Sequence, residues 1–271
     1  MDGNVLFALG LTLFAGLATG LGSLIAFFTS RTNTKFLSIA LGFSAGVMIY
    51  VSLIEIFVKA KDALTAELGD TKGYWFTLIG FFGGMLLIAL IDKFIPQKNN
   101  PHEVRTVEDV NAVSHTKIKE ADRLMKMGTF TALAIAIHNF PEGIATFISA
   151  MQDPNVGIAI AIAVAIHNIP EGIAVAVPIF YATGVRMKAF KLSLLSGLAE
   201  PVGAVVAYLI LMPFLTDTMF GIVFAAVAGI MVFISIDELL PAAKKYDETH
   251  LSIYGLVAGM ALMAISLVLL A

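Results

Sequence analysis

Eight stretches of this chain stay apolar over the roughly 20 residues that a helix needs to cross the hydrocarbon core of a bilayer. They lie at 4–28, 35–58, 74–95, 127–150, 156–181, 189–212, 218–241 and 251–271. Burying that much apolar surface in water would take a larger core than 271 residues can enclose. Hydrophobic residues make up 58% of the sequence and charged residues 14%, against about 25% charged in soluble domains. Disorder, a coiled coil and an ordinary soluble enzyme are excluded, and a lipid bilayer is the expected solvent. The net charge of -3 leaves no basic footprint for nucleic acid. The absence of cysteine excludes disulfides and thiolate metal sites.

Lysine and arginine orient the spans. Fourteen of the 17 fall in the first, third, fifth and seventh connections or within three residues of them. The positive-inside rule places those connections in the cytoplasm and both termini on the extracytoplasmic side. The expected fold class is all-α integral membrane, with eight transmembrane helices. The third connection, 96–126, is long and polar and opens with Pro96, Gln97, Lys98, Asn99, Asn100 and Pro101. It reads as a mobile cytoplasmic loop, with a short helix expected from Thr116 into the fourth span.

Three pairs of spans share residues at fixed offsets. Gly46, Met48, Tyr50, Ser52 and Glu55 match Gly229, Met231, Phe233, Ser235 and Glu238 at 183. Gly16, Leu17, Ala18, Gly22, Ala26 and Phe27 match Gly197, Leu198, Ala199, Gly203, Ala207 and Tyr208 at 181. Gly80, Gly84 and Met85 match Gly255, Gly259 and Met260 at 175. Small residues recur in any packed membrane helix, but three matches in one order imply a repeat of spans 1–3 in spans 6–8. Equivalent spans enter from opposite faces, so the repeat is inverted. Such an arrangement belongs to transporters, with the substrate site near the midplane.

Between the repeats lie two hexads. Span 4 carries His138, Asn139, Phe140, Pro141, Glu142 and Gly143; span 5 carries His167, Asn168, Ile169, Pro170, Glu171 and Gly172. His and Glu four apart share one helix face. Pro141 and Pro170 have no N–H to give the carbonyls of Ile137 and Ile166, so each helix is expected to kink there. Span 6 adds Glu200, ahead of Pro201, and its repeat partner in span 1 is Thr19. Three glutamates at membrane depth cost about 2.5–3.5 kcal/mol each on insertion scales, and no basic residue stands at that depth to offset them. A divalent cation would neutralise them. Nitrogen and oxygen donors without thiolate suit Zn²⁺, Fe²⁺, Mn²⁺ or Co²⁺, and imidazole argues against Ca²⁺ or Mg²⁺. Against these three carboxylates one divalent ion leaves -1 and two leave +1, so a pair of ions bridged by Glu142 and Glu171 stays open.

With the doubled H-N-x-P-E-G hexad, eight spans and a long loop after span 3, the whole chain resembles the ZIP (Zrt/Irt-like) metal-ion transporters, most of all their bacterial zinc-uptake type. The resemblance implies a 3+2+3 inverted-repeat fold: 1–95 as first repeat, 96–126 as cytoplasmic loop, 127–181 as metal-binding helices and 189–271 as second repeat. It implies a binuclear site, with His138, Glu142, His167 and Glu171 at one position and Asn139, Glu142, Asn168, Glu171 and Glu200 at the other. It also implies a homodimer in the plasma (inner) membrane that moves Zn²⁺ into the cytoplasm, with Fe²⁺, Mn²⁺, Co²⁺ and Cd²⁺ as alternative substrates.

Several residues stand outside this set. Glu55, Asp237 and Glu238 read equally as waystations for the ion or as solvated helix ends. Met48 and Met231 line the path or simply pack. His102, His115 and His250, with Glu103, Glu108, Asp109, Glu120 and Asp122, would give a cytoplasmic metal sensor or a plain linker. An intramembrane metalloprotease would need H-E-x-x-H, which the hexads lack. A metal-selective channel or a metal receptor would use the same ligands as a carrier.

Overall fold

The computed structural model describes residues 3–28, 34–94, 117–212, 216–245 and 250–270. All regular structure among them is helical. Helix α1 runs Gly3–Phe28. Helix α2, Thr34–Tyr50, passes through a π-helical turn, Val51–Ile56, into α3, Phe57–Leu68. Helix α4 is Asp70–Phe94, α5 is Lys117–Gln152 and α6 is Pro154–Thr183. Helix α7, Arg186–Gly197, is followed by α8, Ala199–Val206, and a π-helical turn, Ala207–Leu211. Helix α9, Asp217–Ile234, passes through a third π-helical turn, Ser235–Leu239, into α10, Leu240–Lys245. Helix α11 is Leu251–Leu270.

Among the described residues, seven helical runs are long and apolar enough to cross a membrane: Gly3–Leu24, Ser38–Leu68, Asp70–Ile91, Pro154–Val177, Arg186–Leu211, Asp217–Lys244 and Leu251–Leu269. The remaining expected span, 127–150, lies within α5. That helix has 36 residues, ample length for a crossing. His138, Asn139, Pro141 and Glu142 in its middle lower its hydropathy, so composition alone does not set it beside the other seven.

Local chemistry explains the boundaries. Between α5 and α6, the Asp153 carboxylate accepts from the N–H of Asn155 at 2.9 Å and of Val156 at 3.4 Å, and Pro154 opens the helix. Gly184, with φ of 66°, ends α6 in the left-handed region. The second span continues to Leu68 rather than stopping at 58. Lys59 pairs with Glu55 at 3.0 Å one turn away, and the helix ends only at Gly69, with φ of 79°. Neither Pro141 nor Pro170 ends its helix. The sixth span instead breaks at Leu198, where Pro201 has no N–H to give Gly197. The helix expected from Thr116 is present from Lys117. Residues 95–116, with His102, His115 and most of the expected loop, lie outside the described residues.

Packing sorts the helices into two groups. Helix α6 packs on α1, α5 and α7, and α5 packs on α8. Helix α2 packs on α11, and α9 on α3 and α4. Contact between the groups is sparser and runs through α2, α9 and α11 against α5 and α6. The spanning window of α6 is 71% buried, against 22% for α4 and for α11, so this hexad-bearing helix is central while α4 and α11 face outward. The outer faces are apolar: Trp75, Ile79, Phe82 and Leu86 on α4 and Tyr254, Val257, Ile265 and Val268 on α11 are exposed, as lipid-facing residues should be.

Close helix approaches recur in matched pairs. A Cβ on Gly46 would strike the Leu256 carbonyl, and a Cβ on Gly229 would strike that of Phe81. Gly46 and Gly229 differ by 183, and Phe81 and Leu256 by 175, the offsets already read in the sequence. The π-helical turns at Val51–Ile56 and Ser235–Leu239 fall at equivalent places on the same scale.

Candidate metal site

Asn139 and Glu142 lie on α5, His167, Asn168 and Glu171 on α6, and Glu200 in the first turn of α8. All six are buried, none more than 3% exposed. His138 is one turn before Glu142 on α5, and its side chain is outside the described residues. The hexad glycines bring these helices together. A Cβ on Gly143 would collide with the carbonyl of Glu200, and one on Gly172 with that of Thr19. With hydrogen in place of methyl, α5 can lie against α8 at Glu200, and α6 against α1 at Thr19.

Neighbouring residues of α6 reach different helices. His167 Nε2 stands 3.2 Å from Glu142 Oε2 on α5. Asn168 Nδ2 donates to Glu200 Oε1 on α8 and, at 2.9 Å, to the Ala15 carbonyl on α1. Asn139 Nδ2 donates to the Ser196 carbonyl at 3.4 Å. Ser193 Oγ lies 3.2 Å from the carbonyls of both Thr19 and Gly172, which ties α7 to α1 and α6. Two of these contacts join expected ligands, His167 with Glu142 and Asn168 with Glu200, and Glu142, His167 and Glu171 have further partners besides. Among the described residues, no three His, Asp or Glu side chains form a preassembled metal-holding group.

The electrostatics are one-sided. Glu142, Glu171 and Glu200 are the buried acidic residues among those described, and no lysine or arginine is buried with them. The two asparagine side chains spend their N–H groups on neighbours and leave Asn139 Oδ1 and Asn168 Oδ1 buried without a hydrogen-bond partner among the described residues. Glu200 Oε2 is in the same position. Buried oxygens with free lone pairs cost stability unless something positive or hydrogen-bonding meets them.

Known proteins place this arrangement. The family model described as ZIP zinc transporter matches residues 94–267. Zinc transporter ZupT of Lysinibacillus sphaericus is 82% identical over 270 residues, covering 100% of both chains. Zinc transporter ZupT of Oceanobacillus iheyensis is 73% identical, covering 99% of each. That of Clostridium perfringens is 59% identical over 98% of this chain and 96% of its own. The chain belongs to the ZIP zinc transporter family, in its bacterial ZupT type. It is therefore a multi-pass plasma-membrane protein of a transporter family and not an enzyme.

The peripheral residues of this ZIP chain separate in the structure. Met48 and Met231 are buried in the main apolar core, where packing accounts for them. Glu55 is ion-paired with Lys59. Asp237 is exposed and Glu238 partly so, both in or beside the third π-helical turn. His250 is exposed with φ of 65°, an uncommon backbone state for a residue other than glycine. Sequence reading gave no role to Ser193, whose hydroxyl meets the carbonyls of Thr19 and Gly172, or to Ser196, whose carbonyl accepts from Asn139. Polar residues at membrane depth were the available signal.

Proposed function

We propose that this protein carries Zn²⁺ into the cytoplasm through the His/Asn/Glu cluster between α5, α6 and α8, with Fe²⁺, Mn²⁺, Co²⁺ and Cd²⁺ as alternative substrates. One observation carries the reading. Among the described residues, three glutamates are buried together without a buried lysine or arginine, beside asparagine oxygens that have no hydrogen-bond partner. Relatives up to 82% identical bear the name zinc transporter. His138, Glu142, His167 and Glu171 would hold one ion; Asn139, Glu142, Asn168, Glu171 and Glu200 would hold a second. The observed pairs, His167 with Glu142 and Asn168 with Glu200, fall one in each set. Mixed imidazole and carboxylate donors suit Zn²⁺.

The proposed architecture is eight transmembrane helices, with α5 as the fourth, arranged as 3+2+3 inverted repeats in a homodimer with extracytoplasmic termini. The matched glycine contacts and paired π-helical turns support the repeat. Transport would follow from movement of α1, α5, α6, α7 and α8 as one body against the other group. The sparser contacts between the two groups support this. A metal enters from outside, exchanges water for the cluster's donors and leaves on the other side once the bodies have shifted.

Uptake of radiolabelled Zn²⁺ into proteoliposomes tests the proposal. The expected result is saturable uptake by the wild type and none by Glu142→Ala. Binding without uptake in the wild type would overturn it in favour of a receptor, and flux that does not saturate would favour a channel.

A further inference from the structure

Thr19 stands in α1 where Glu200 stands in α8. The offset of 181 that equates them also carries Ala15 to Ser196 and Gly16 to Gly197. In the structure these equivalences appear as contacts. Gly16 and Gly197 face each other, each closing the space a Cβ of the other would need. Asn168 donates to Ala15 as Asn139 donates to Ser196. Gly172 lies against the Thr19 carbonyl as Gly143 lies against that of Glu200. An axis passing between Gly16 and Gly197 therefore exchanges the Glu200–Asn168 pair with Thr19 and Asn139.

Thr19 is fully buried, and its Oγ1 has no hydrogen-bond partner among the described residues. A hydroxyl in an apolar helix ordinarily bonds a carbonyl three or four residues back, as Thr12, Ser23, Ser44 and Ser235 do here. Thr19 does not. Asn139 Oδ1, on the same side of the axis, is also buried without a partner among the described residues. A residue serving only to pack would be better as valine, which has nearly the same shape and no polar atom to bury.

We propose that Thr19 is a further ion-binding residue of the metal path. Its hydroxyl oxygen and Asn139 Oδ1 form a neutral oxygen half-site for a divalent cation, the uncharged counterpart of Glu200 and Asn168. This rests on the reading of the hexads as the ion site. The chemistry of the difference is direct. The Glu200 side adds a negative charge that holds the ion, while the Thr19 side offers only dipoles. The ion is thus bound unevenly across the axis and released more readily from the Thr19 side.

The test is Zn²⁺ uptake into proteoliposomes by Thr19→Val, Thr19→Ser and Glu142→Ala, with thermal unfolding of each in detergent. Thr19→Val is expected to raise the KM for Zn²⁺ about tenfold, the effect of losing one buried polar contact. Its unfolding temperature should be at or above that of the wild type, and Thr19→Ser should restore the wild-type KM. A wild-type KM in Thr19→Val, with Glu142→Ala inactive, would overturn the role of Thr19 alone. A Thr19→Ser variant that fails as Thr19→Val does, with both unfolding early, would mark a packing role and overturn it equally. Normal uptake by Glu142→Ala would instead overturn the ion-site reading beneath it.

Discussion

Asn168 shows how much one side chain organises here. Its amide N–H groups join Glu200 on α8 to the Ala15 carbonyl on α1, and its carbonyl oxygen is buried without a hydrogen-bond partner among the described residues. Asn168→Ala would remove both bonds, each worth about 0.5–1.5 kcal/mol or more when a carboxylate accepts. The expected outcome is a lower unfolding temperature in detergent and Zn²⁺ uptake reduced at least about tenfold. Gly143→Ala would force a methyl group into the Glu200 carbonyl, an overpacking that costs about 1–3 kcal/mol, and Gly172→Ala would do the same at Thr19. Thermal unfolding of both variants checks this, with similar losses expected because the contacts are equivalent. At this scale the sequence was informative. The hexads announced their carboxylates because charge in lipid demands a reason. Ser193 and Ser196 were silent because a hydroxyl in a helix has an ordinary use, bonding its own backbone.

Helix positions were legible from apolar length, while their breaks were not. The kinks expected at Pro141 and Pro170 concern helices that continue past both residues, and the interruption in span 6 lies at Leu198. A proline states that one carbonyl loses its partner, and the packing around it decides whether the chain bends or breaks. The π-helical turns had no sequence signature at all, since an extra residue in a turn changes neither hydropathy nor period enough to be seen. The extension of α3 to Leu68 was hidden because charged residues look like the end of a span. They can equally continue a helix along the water interface. Helix ends offer a clean contrast with the site. Asp153→Ala removes the cap of α6 and is expected to cost about 1 kcal/mol. A modest drop in unfolding temperature with unchanged Zn²⁺ KM is the outcome to look for.

For the molecule as a whole, the proposed inverted repeat would join sequence to architecture. Offsets of 183, 181 and 175 seen in glycines reappear as matched helix contacts, because glycine marks the points where backbones touch. The long loop was legible only as polarity, and most of it lies outside the described residues. The cysteine-free sequence makes topology directly testable. Cysteines at Asn4 and Thr216, both exposed, are expected to react with an impermeant maleimide in intact cells. One at Lys188, also exposed, is expected to react only after permeabilisation. The central claim is that zinc occupies the cluster of α5, α6 and α8, and anomalous scattering at the zinc edge from crystals grown with Zn²⁺ tests it most directly. The account predicts a peak about 2.0–2.2 Å from carboxylate oxygen of Glu142 and from imidazole nitrogen, absent in Glu142→Ala. Zinc found only at surface residues, or a peak that survives in Glu142→Ala, would contradict it.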